Sequence, residues 1–222
     1  MRWNINSARA RLARIDGKFY TARANKMRNV TLLLMGLLAS TLVASTLAQA
    51  ADGAIWANLK QGGYVILMRH GPVDSLTHST HPRAEFENCV GQNNLSPQGQ
   101  QEMAQLGRAF KKKRIPIGAV LASPFCRTQD TARIAFGKVH VWDALDLQTE
   151  LPDDEAAKRS EEVAARIGQF KGKKNLVLVT HQPNIDSLTL ELVERGTILV
   201  LKPSGGAGFS VVGRIALEDL PQ

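Results

Sequence analysis

Three apolar runs in this 222-residue chain each end in residues with chemical capability. Gly63-Tyr64-Val65-Ile66-Leu67-Met68 leads into Arg69-His70-Gly71. Val120-Leu121-Ala122-Ser123 leads into Pro124-Phe125-Cys126-Arg127, and Leu176-Val177-Leu178-Val179-Thr180 leads into His181. Short runs of this kind read as buried strands, and open α/β sheets bind their ligands beyond the carboxyl ends of such strands. The set delivered there is two arginines and two histidines. It suits phosphoryl transfer through a phosphohistidine, because a neutral imidazole can attack phosphorus while guanidinium forks hold the oxygens bidentately.

Four segments carry a resemblance in chain order: Arg69-His70-Gly71, Leu95-Ser96-Pro97-Gln98-Gly99, Ser123-Pro124-Phe125-Cys126-Arg127-Thr128-Gln129-Asp130-Thr131-Ala132, and Thr180-His181. Together they resemble the histidine phosphatase superfamily, the group that includes cofactor-dependent phosphoglycerate mutases and acid phosphatases. The resemblance spans residues 62 to 216 and implies a phosphatase that needs neither metal nor cofactor.

The roles follow residue by residue. His70 is the expected nucleophile, kept neutral by its two guanidinium neighbours through like-charge repulsion. Arg69 and Arg127 are expected to hold the transferring oxygens, where positioned donors supply several kcal/mol of transition-state stabilisation. His181 is expected as a protonated second imidazole that balances a phosphate dianion. Gly71 is expected to be small so that the backbone can approach the phosphoryl group, which makes it a substrate-binding position with Arg69, Arg127 and His181.

The general acid is less well marked. Members related to the mutases place a glutamate some two dozen residues beyond the arginine matched by Arg127, which implies Glu150, with Asp153, Asp154 and Glu155 as neighbours of similar placement. Any of the four also fits an acidic helix N-terminus. An asparagine that many members carry shortly after the histidine is missing from Gly71-Pro72-Val73-Asp74-Ser75-Leu76-Thr77-His78, and Asn93 or Asn94 is a candidate substitute. Substrate selection is expected in the long polar loop from Pro72 to Asn94.

Other functions fit less well. A mutase acts on cytosolic metabolites, whereas this chain carries an export pattern. A cysteine phosphatase would need arginine at position 132, which is Ala132. A metal site built from Asp74, His78 and His81 would place its histidines in a loop without helical register, so no metal is expected. A protein of the same fold that binds phosphorylated ligands without turnover remains the alternative.

The elements that must position these residues alternate between strand and helix signals from Gly62 onward. This predicts an α/β three-layer sandwich with a mostly parallel central sheet, helices on both faces and a phosphoglycerate mutase-like arrangement. Strands are expected at Tyr64 to Met68, Val120 to Ala122 and Asn175 to Thr180, with an edge strand within Val139 to Leu147. Ser96-Pro97 reads as an N-cap and first helical residue. Further helices are expected at Arg127 to Phe136, Asp154 to Phe170, and Pro183 toward Leu192. Ile198 to Leu201 and Phe209 to Ile215 read as a closing hairpin whose connection is residues 203–208.

Upstream of this lies a targeting pattern. Residues 30–47 are apolar or small throughout, follow Met27-Arg28-Asn29 and end in Ala48-Gln49-Ala50, which reads as a secretory signal over residues 27–50. An uncleaved membrane anchor is the competing reading. Residues 1–26 form a basic extension, and residues 51–222 are read as one histidine phosphatase domain. The formal charge of +8 comes from 28 basic and 20 acidic residues, of which 8 and 1 lie in residues 1–50. The remainder is nearly balanced, which argues against a nucleic-acid partner. Lys111-Lys112-Lys113-Arg114, the one cluster left, is read as a solvated helix end. Expected partners are a phosphorylated small molecule or an envelope phosphosugar, with membrane contact only during export and a periplasmic or secreted location. There Cys89 and Cys126, the two cysteines of the chain, are expected to form a disulfide, with two buried thiols as the competing reading.

Overall fold

The sheet assembles from the apolar runs in the order β3-β2-β4-β1-β5-β6. In the computed structural model, which describes residues 53–74 and 89–220, the strands are β1 (Val65–Arg69), β2 (Ile117–Ala122), β3 (His140–Val141), β4 (Asn175–Thr180), β5 (Ile198–Gly205) and β6 (Gly208–Ile215). β3, β2, β4 and β1 pair in parallel, and the β5–β6 hairpin completes the sheet antiparallel to β1. The sheet is therefore mixed, with its parallel part holding the candidate residues.

Helices cover both faces. They are α1 (residues 53–61), α2 (Pro97–Lys112), α3 (Cys126–Phe136), α4 (Asp153–Gly168) and α5 (Gln182–Thr189). In β1, Ile66 and Met68 pack with Leu59, Met103, Leu106 and Ala132, while Val65 and Leu67 pack with Val163, Ile167 and Ile185. α1, α2 and α3 thus lie on one face and α4 and α5 on the other. β1 and β4 are buried on both faces, which is why they read as unbroken apolar runs.

Local chemistry explains the boundaries. Ser96 Oγ accepts from Gly99 N at 2.9 Å at the start of α2, with Pro97 as its first residue. Lys111 and Lys112 close α2, and Lys113 Nζ lies 4.7 Å from the Trp56 ring centroid, in keeping with a solvated helix end.

Several boundaries differ from the sequence expectation: β2 starts at Ile117 rather than Val120, α4 ends at Gly168 rather than Phe170, and two further differences have a visible cause. β5 and β6 run through residues expected as connection, pairing Pro203 with Phe209 and Gly205 with Gly208. β1 stops pairing at Leu201, so beyond it β5 has only one partner, and Pro203 can sit there without a second ladder to satisfy. α5 ends at Thr189 rather than near Leu192. Leu190 adopts φ 58°, and the Gln182 side chain holds the returning loop by donating to Glu191 O at 2.9 Å and accepting from Val193 N at 3.0 Å.

Residues 1–52 and 75–88 lie outside the described part, and with them the signal segment, the basic extension and the His78/His81 pair. No helix among the described residues is long and apolar enough to cross a membrane.

Candidate active site

Parallel register brings the candidate residues together. Arg69 is paired with Thr180 and Ala122 with Val179. The ladder continues one step past each strand, with His70 N donating to Thr180 O at 3.0 Å and Ser123 N to Val179 O at 3.1 Å. His70, His181 and Ser123 therefore leave adjacent strand ends side by side. The two imidazole centroids are 5.5 Å apart at 61°.

His70 is 7% exposed, and its Nδ1–H donates to the Gly71 carbonyl at 2.8 Å. A carbonyl can only accept, so this contact fixes the proton on Nδ1 and leaves the lone pair on Nε2. Burial first, then the Arg127 charge, push the His70 pKa down to about 3, with Arg69 and Arg195 adding to the effect against the Gly71 hydrogen bond. The expected neutral imidazole follows from this environment.

His181 takes the opposite tautomer. An Arg127 Nη2–H donates to its Nδ1 at 3.3 Å, so the proton is on Nε2, which donates to Ser123 Oγ at 2.8 Å. Burial, Arg127, His70 and Arg69 hold its pKa well below the ordinary value. These cationic and imidazole neighbours favour the neutral ring, whereas the protonated form expected from the sequence is the one that balances a phosphate dianion. A phosphate dianion among them would reverse that electrostatic balance.

Arg127 lies in the first turn of α3 and is 7% exposed, with its guanidinium carbon 4.2 Å from the Phe125 ring centroid. Burial lowers its pKa to about 10, with Arg195 contributing, while the Glu150 and Asp146 charges oppose the shift. At this value Arg127 stays cationic at neutral pH. Arg69 donates from Nη1 to Val193 O at 2.7 Å, and its buried Nε has no hydrogen-bond partner. Burial and Arg195 lower its pKa, and Glu194 opposes them. A half-buried fork with one donor uncommitted, whose charge acts on the neutral His70 ring, is an arrangement that can take a phosphoryl oxygen.

Gly71 is small for a different reason than expected. A Cβ there would stand 2.9 Å from Met103 Cγ and 3.2 Å from Leu95 Cδ2, inside the core. Its N–H already donates to Thr131 Oγ1 at 2.9 Å, and Thr131 Oγ1 donates to Arg127 O at 2.7 Å. Thr131 thus ties the His70 turn to the helix that carries Arg127.

Glu150 is exposed, in a 3-10 turn over Gln148–Glu150, and its charge reaches Arg127. Asp153, Asp154 and Glu155 form the first turn of α4, where Glu155 pairs with Arg159. Among these four, Glu150 is the one whose charge acts on a site arginine. Asn94 Nδ2 donates to Cys89 O at 2.6 Å, which commits it to its own loop.

Cys89 and Cys126 form a disulfide, with Cα atoms 5.7 Å apart. It joins the loop before α2 to the first residue of α3. Beside it, Gln92 Oε1 accepts from Cys126 N at 2.9 Å and caps α3, whose N-cap Phe125 provides no side-chain bond.

Sequence reading gave no role to Ser123, Thr131, Gln92 or Arg195. Ser123 and Thr131 stand inside a segment that was read as one piece, where a hydroxyl at each end was a usable signal. Arg195, in Glu194-Arg195-Gly196, follows no strand and had none.

Residues 65–151 match the model of the histidine phosphatase superfamily (branch 1). Among solved structures, the chain is similar to the protein histidine phosphatase SixA complexed with tungstate, at 15% identity and TM-score 0.50, covering 70% of this chain and 98% of that one. It is equally similar to phosphoserine phosphatase from Entamoeba histolytica in complex with 3-phosphoglyceric acid, at 15% identity and TM-score 0.50, covering 69% and 96%. At such identities the likeness concerns the fold. No curated protein sequence matches the chain.

Proposed function

From the premise that this chain belongs to the histidine phosphatase superfamily, we propose that it hydrolyses phosphomonoesters through a phosphohistidine on His70. The observation that carries this reading is the His70 tautomer: Nδ1–H is held by Gly71 O, so a neutral ring has its lone pair on Nε2.

In the proposed reaction Nε2 attacks phosphorus and the ester P–O bond breaks. Arg69 and Arg127 hold the oxygens on which charge is concentrated. The departing oxygen takes a proton from Glu150, the acid this reading assigns. Water then attacks phosphorus while the Glu150 carboxylate takes its proton, and the P–N bond breaks, which releases inorganic phosphate and restores neutral His70 and protonated Glu150. The protein is further proposed to work outside the cytoplasm, supported by the signal-like residues 27–50 and by the Cys89–Cys126 bridge, which an oxidising compartment preserves. A phosphorylated small molecule or an envelope phosphosugar is the proposed substrate class.

The test is turnover of nitrophenyl phosphate together with trapping of an acid-labile, base-stable phosphoenzyme. His70→Ala is expected to abolish both. A folded His70→Ala protein with near-native turnover overturns the assignment. Tight phosphate binding by wild type without any turnover would instead support a phosphate-binding protein of the same fold.

A further inference from the structure

The loop between α5 and β5 supplies the hydrogen bond that aims the Arg69 side chain, and that loop is itself held by a side chain with no part in the proposed reaction. Among the described residues, the Arg69 guanidinium makes one hydrogen bond, from Nη1 to Val193 O at 2.7 Å. A loop carbonyl is a steady acceptor only when the peptides around it are held. After Val193 they are: Thr197 N donates to Glu194 O at 3.1 Å, and Gly196 N donates to His70 O at 2.9 Å.

Before Val193 the hold is Gln182, the first residue of α5 and the next in the chain after His181. Its Nε2–H donates to Glu191 O at 2.9 Å, and its Oε1 accepts from Val193 N at 3.0 Å. A carbonyl only accepts and a peptide N–H only donates, so these partners fix the direction of the amide. The two bonds fix two successive peptide planes, 191–192 and 192–193, and Val193 O belongs to the plane that follows. Thr189 Oγ1 also accepts from Glu191 N at 3.3 Å, but that peptide is farther from Val193. Packing supplies part of the hold. The Val193 side chain is buried in the core cluster with Val65, Leu67 and Ile185, whereas Leu190 and Leu192 before it are 88% and 75% exposed. One buried side chain sets where Val193 lies and leaves its peptides free to rotate; bonds to successive peptides set the rotation as well. The place calls for a donor and an acceptor on one side chain, which glutamine has and glutamate or lysine lacks.

We propose that Gln182 is a positioning residue for the phosphoryl clamp: its amide orients Val193 O, and Val193 O orients Arg69. The residue that follows His181 thereby sets the direction of the arginine that precedes His70. A guanidinium ordered beforehand loses less side-chain freedom when it takes an oxyanion, and binding is tighter by that amount. What Arg69 binds rests on the phosphatase reading; the ordering of Arg69 by Gln182 does not.

Two readouts test these parts separately on the full chain. Order of the Arg69 Nε–H group is measured by nitrogen relaxation NMR, with its signal identified by its loss in Arg69→Ala. The dissociation constant of inorganic phosphate is measured by phosphorus NMR titration. Gln182→Ala is expected to lower the Arg69 order and to weaken phosphate binding about fivefold, through the freedom that binding must then remove. In the Arg69→Ala background the same substitution is expected to change phosphate affinity by less than about 1.5-fold, because the two residues act through one contact. Gln182→Glu keeps the acceptor for Val193 N and is expected to retain more Arg69 order than Gln182→Ala. Thr189→Val, which loosens the same loop farther from Val193, is expected to leave Arg69 ordered. Unchanged Arg69 order in Gln182→Ala, an equal loss of order in Thr189→Val, or a fivefold loss of phosphate affinity that persists without Arg69 overturns the proposal. A wild type that binds no phosphate, while Arg69 order still falls in Gln182→Ala, refutes the phosphatase reading and leaves the role of Gln182 standing.

Discussion

At the scale of single residues, the site is a set of proton positions fixed by burial. Arg127 is held by the Phe125 ring on one side and by His181 Nδ1 at its edge. A lysine there keeps the charge but loses the planar fork and the stacking. Arg127→Lys is therefore expected to lower kcat/KM by about tenfold or more, roughly 1.4 kcal/mol of transition-state stabilisation or above; a loss under about fivefold would mean that the fork is not used. Glu150→Gln should slow an alkyl phosphate far more than a nitrophenyl phosphate, because only the poorer leaving oxygen needs a proton. Equal losses on both would remove Glu150 as the acid and move the test to Asp153, Asp154 and Glu155. The buried histidines also make stability depend on pH. Both have folded pKa values below the ordinary 6.5, His70 at about 3, so below pH 6.5 the unfolded chain binds protons that the folded chain does not. Stability then rises with pH across this window and is lost as pH falls from 6.5 toward 3. Each histidine contributes a slope of up to about 1.4 kcal/mol per pH unit. Urea midpoints at pH 7 and pH 5 should show the loss, and His70→Asn or His181→Asn should each reduce it.

At the scale of elements, the first turn of α3 concentrates several constraints. The disulfide, the Gln92 cap and the Thr131 link all bear on the turn that presents Arg127. Closing a loop of sequence separation 37 stabilises by about 3–4 kcal/mol in the chain-entropy model. The Cys89→Ser, Cys126→Ser double variant is expected to lose stability of that order in denaturant titrations, and turnover with it as Arg127 loosens; unchanged stability and turnover would show that the cap and the threonine suffice. This region also marks how far the sequence could be read. The strand ends at Arg69 and Thr180 were legible because β1 and β4 are buried on both faces, which leaves an unbroken apolar signature, and the end at Ala122 from the shorter run Val120-Leu121-Ala122 of the less buried β2. The four site residues at those ends were legible with them. What was not legible depends on contacts distant in sequence. The reason for Gly71 lies in Met103, 32 positions away by number, and the end of α5 is set by a Gln182 side chain bridging to Glu191 and Val193. The neutral state of His181 could be known only once Ser123, Arg127 and His70 were seen around it. Arg195 illustrates the same limit, because an arginine in a loop looks alike whether or not its charge reaches His70.

At the scale of the whole molecule, the strand order separates neighbours in space from neighbours in the chain. β1 pairs with β4, at Val65 with Leu176, and with β5, at Val65 with Leu201. The strand that presents His70 therefore has no sheet partner until more than a hundred further residues exist. At ribosomal rates of about 5–20 residues per second, that interval is on the order of 5–25 s. Amide hydrogen exchange of a chain truncated before Asn175 is expected to leave residues 65–69 unprotected, while the full chain protects them strongly; protection in the truncated chain would show that β1 finds order alone. Pairing at such distances also slows closure once the chain is complete, since the loop entropy must be overcome before the contacts form. The central strand thus acts as a timer. A nascent chain stays open and threadable until its last third has been made, a delay that fits the export proposed above.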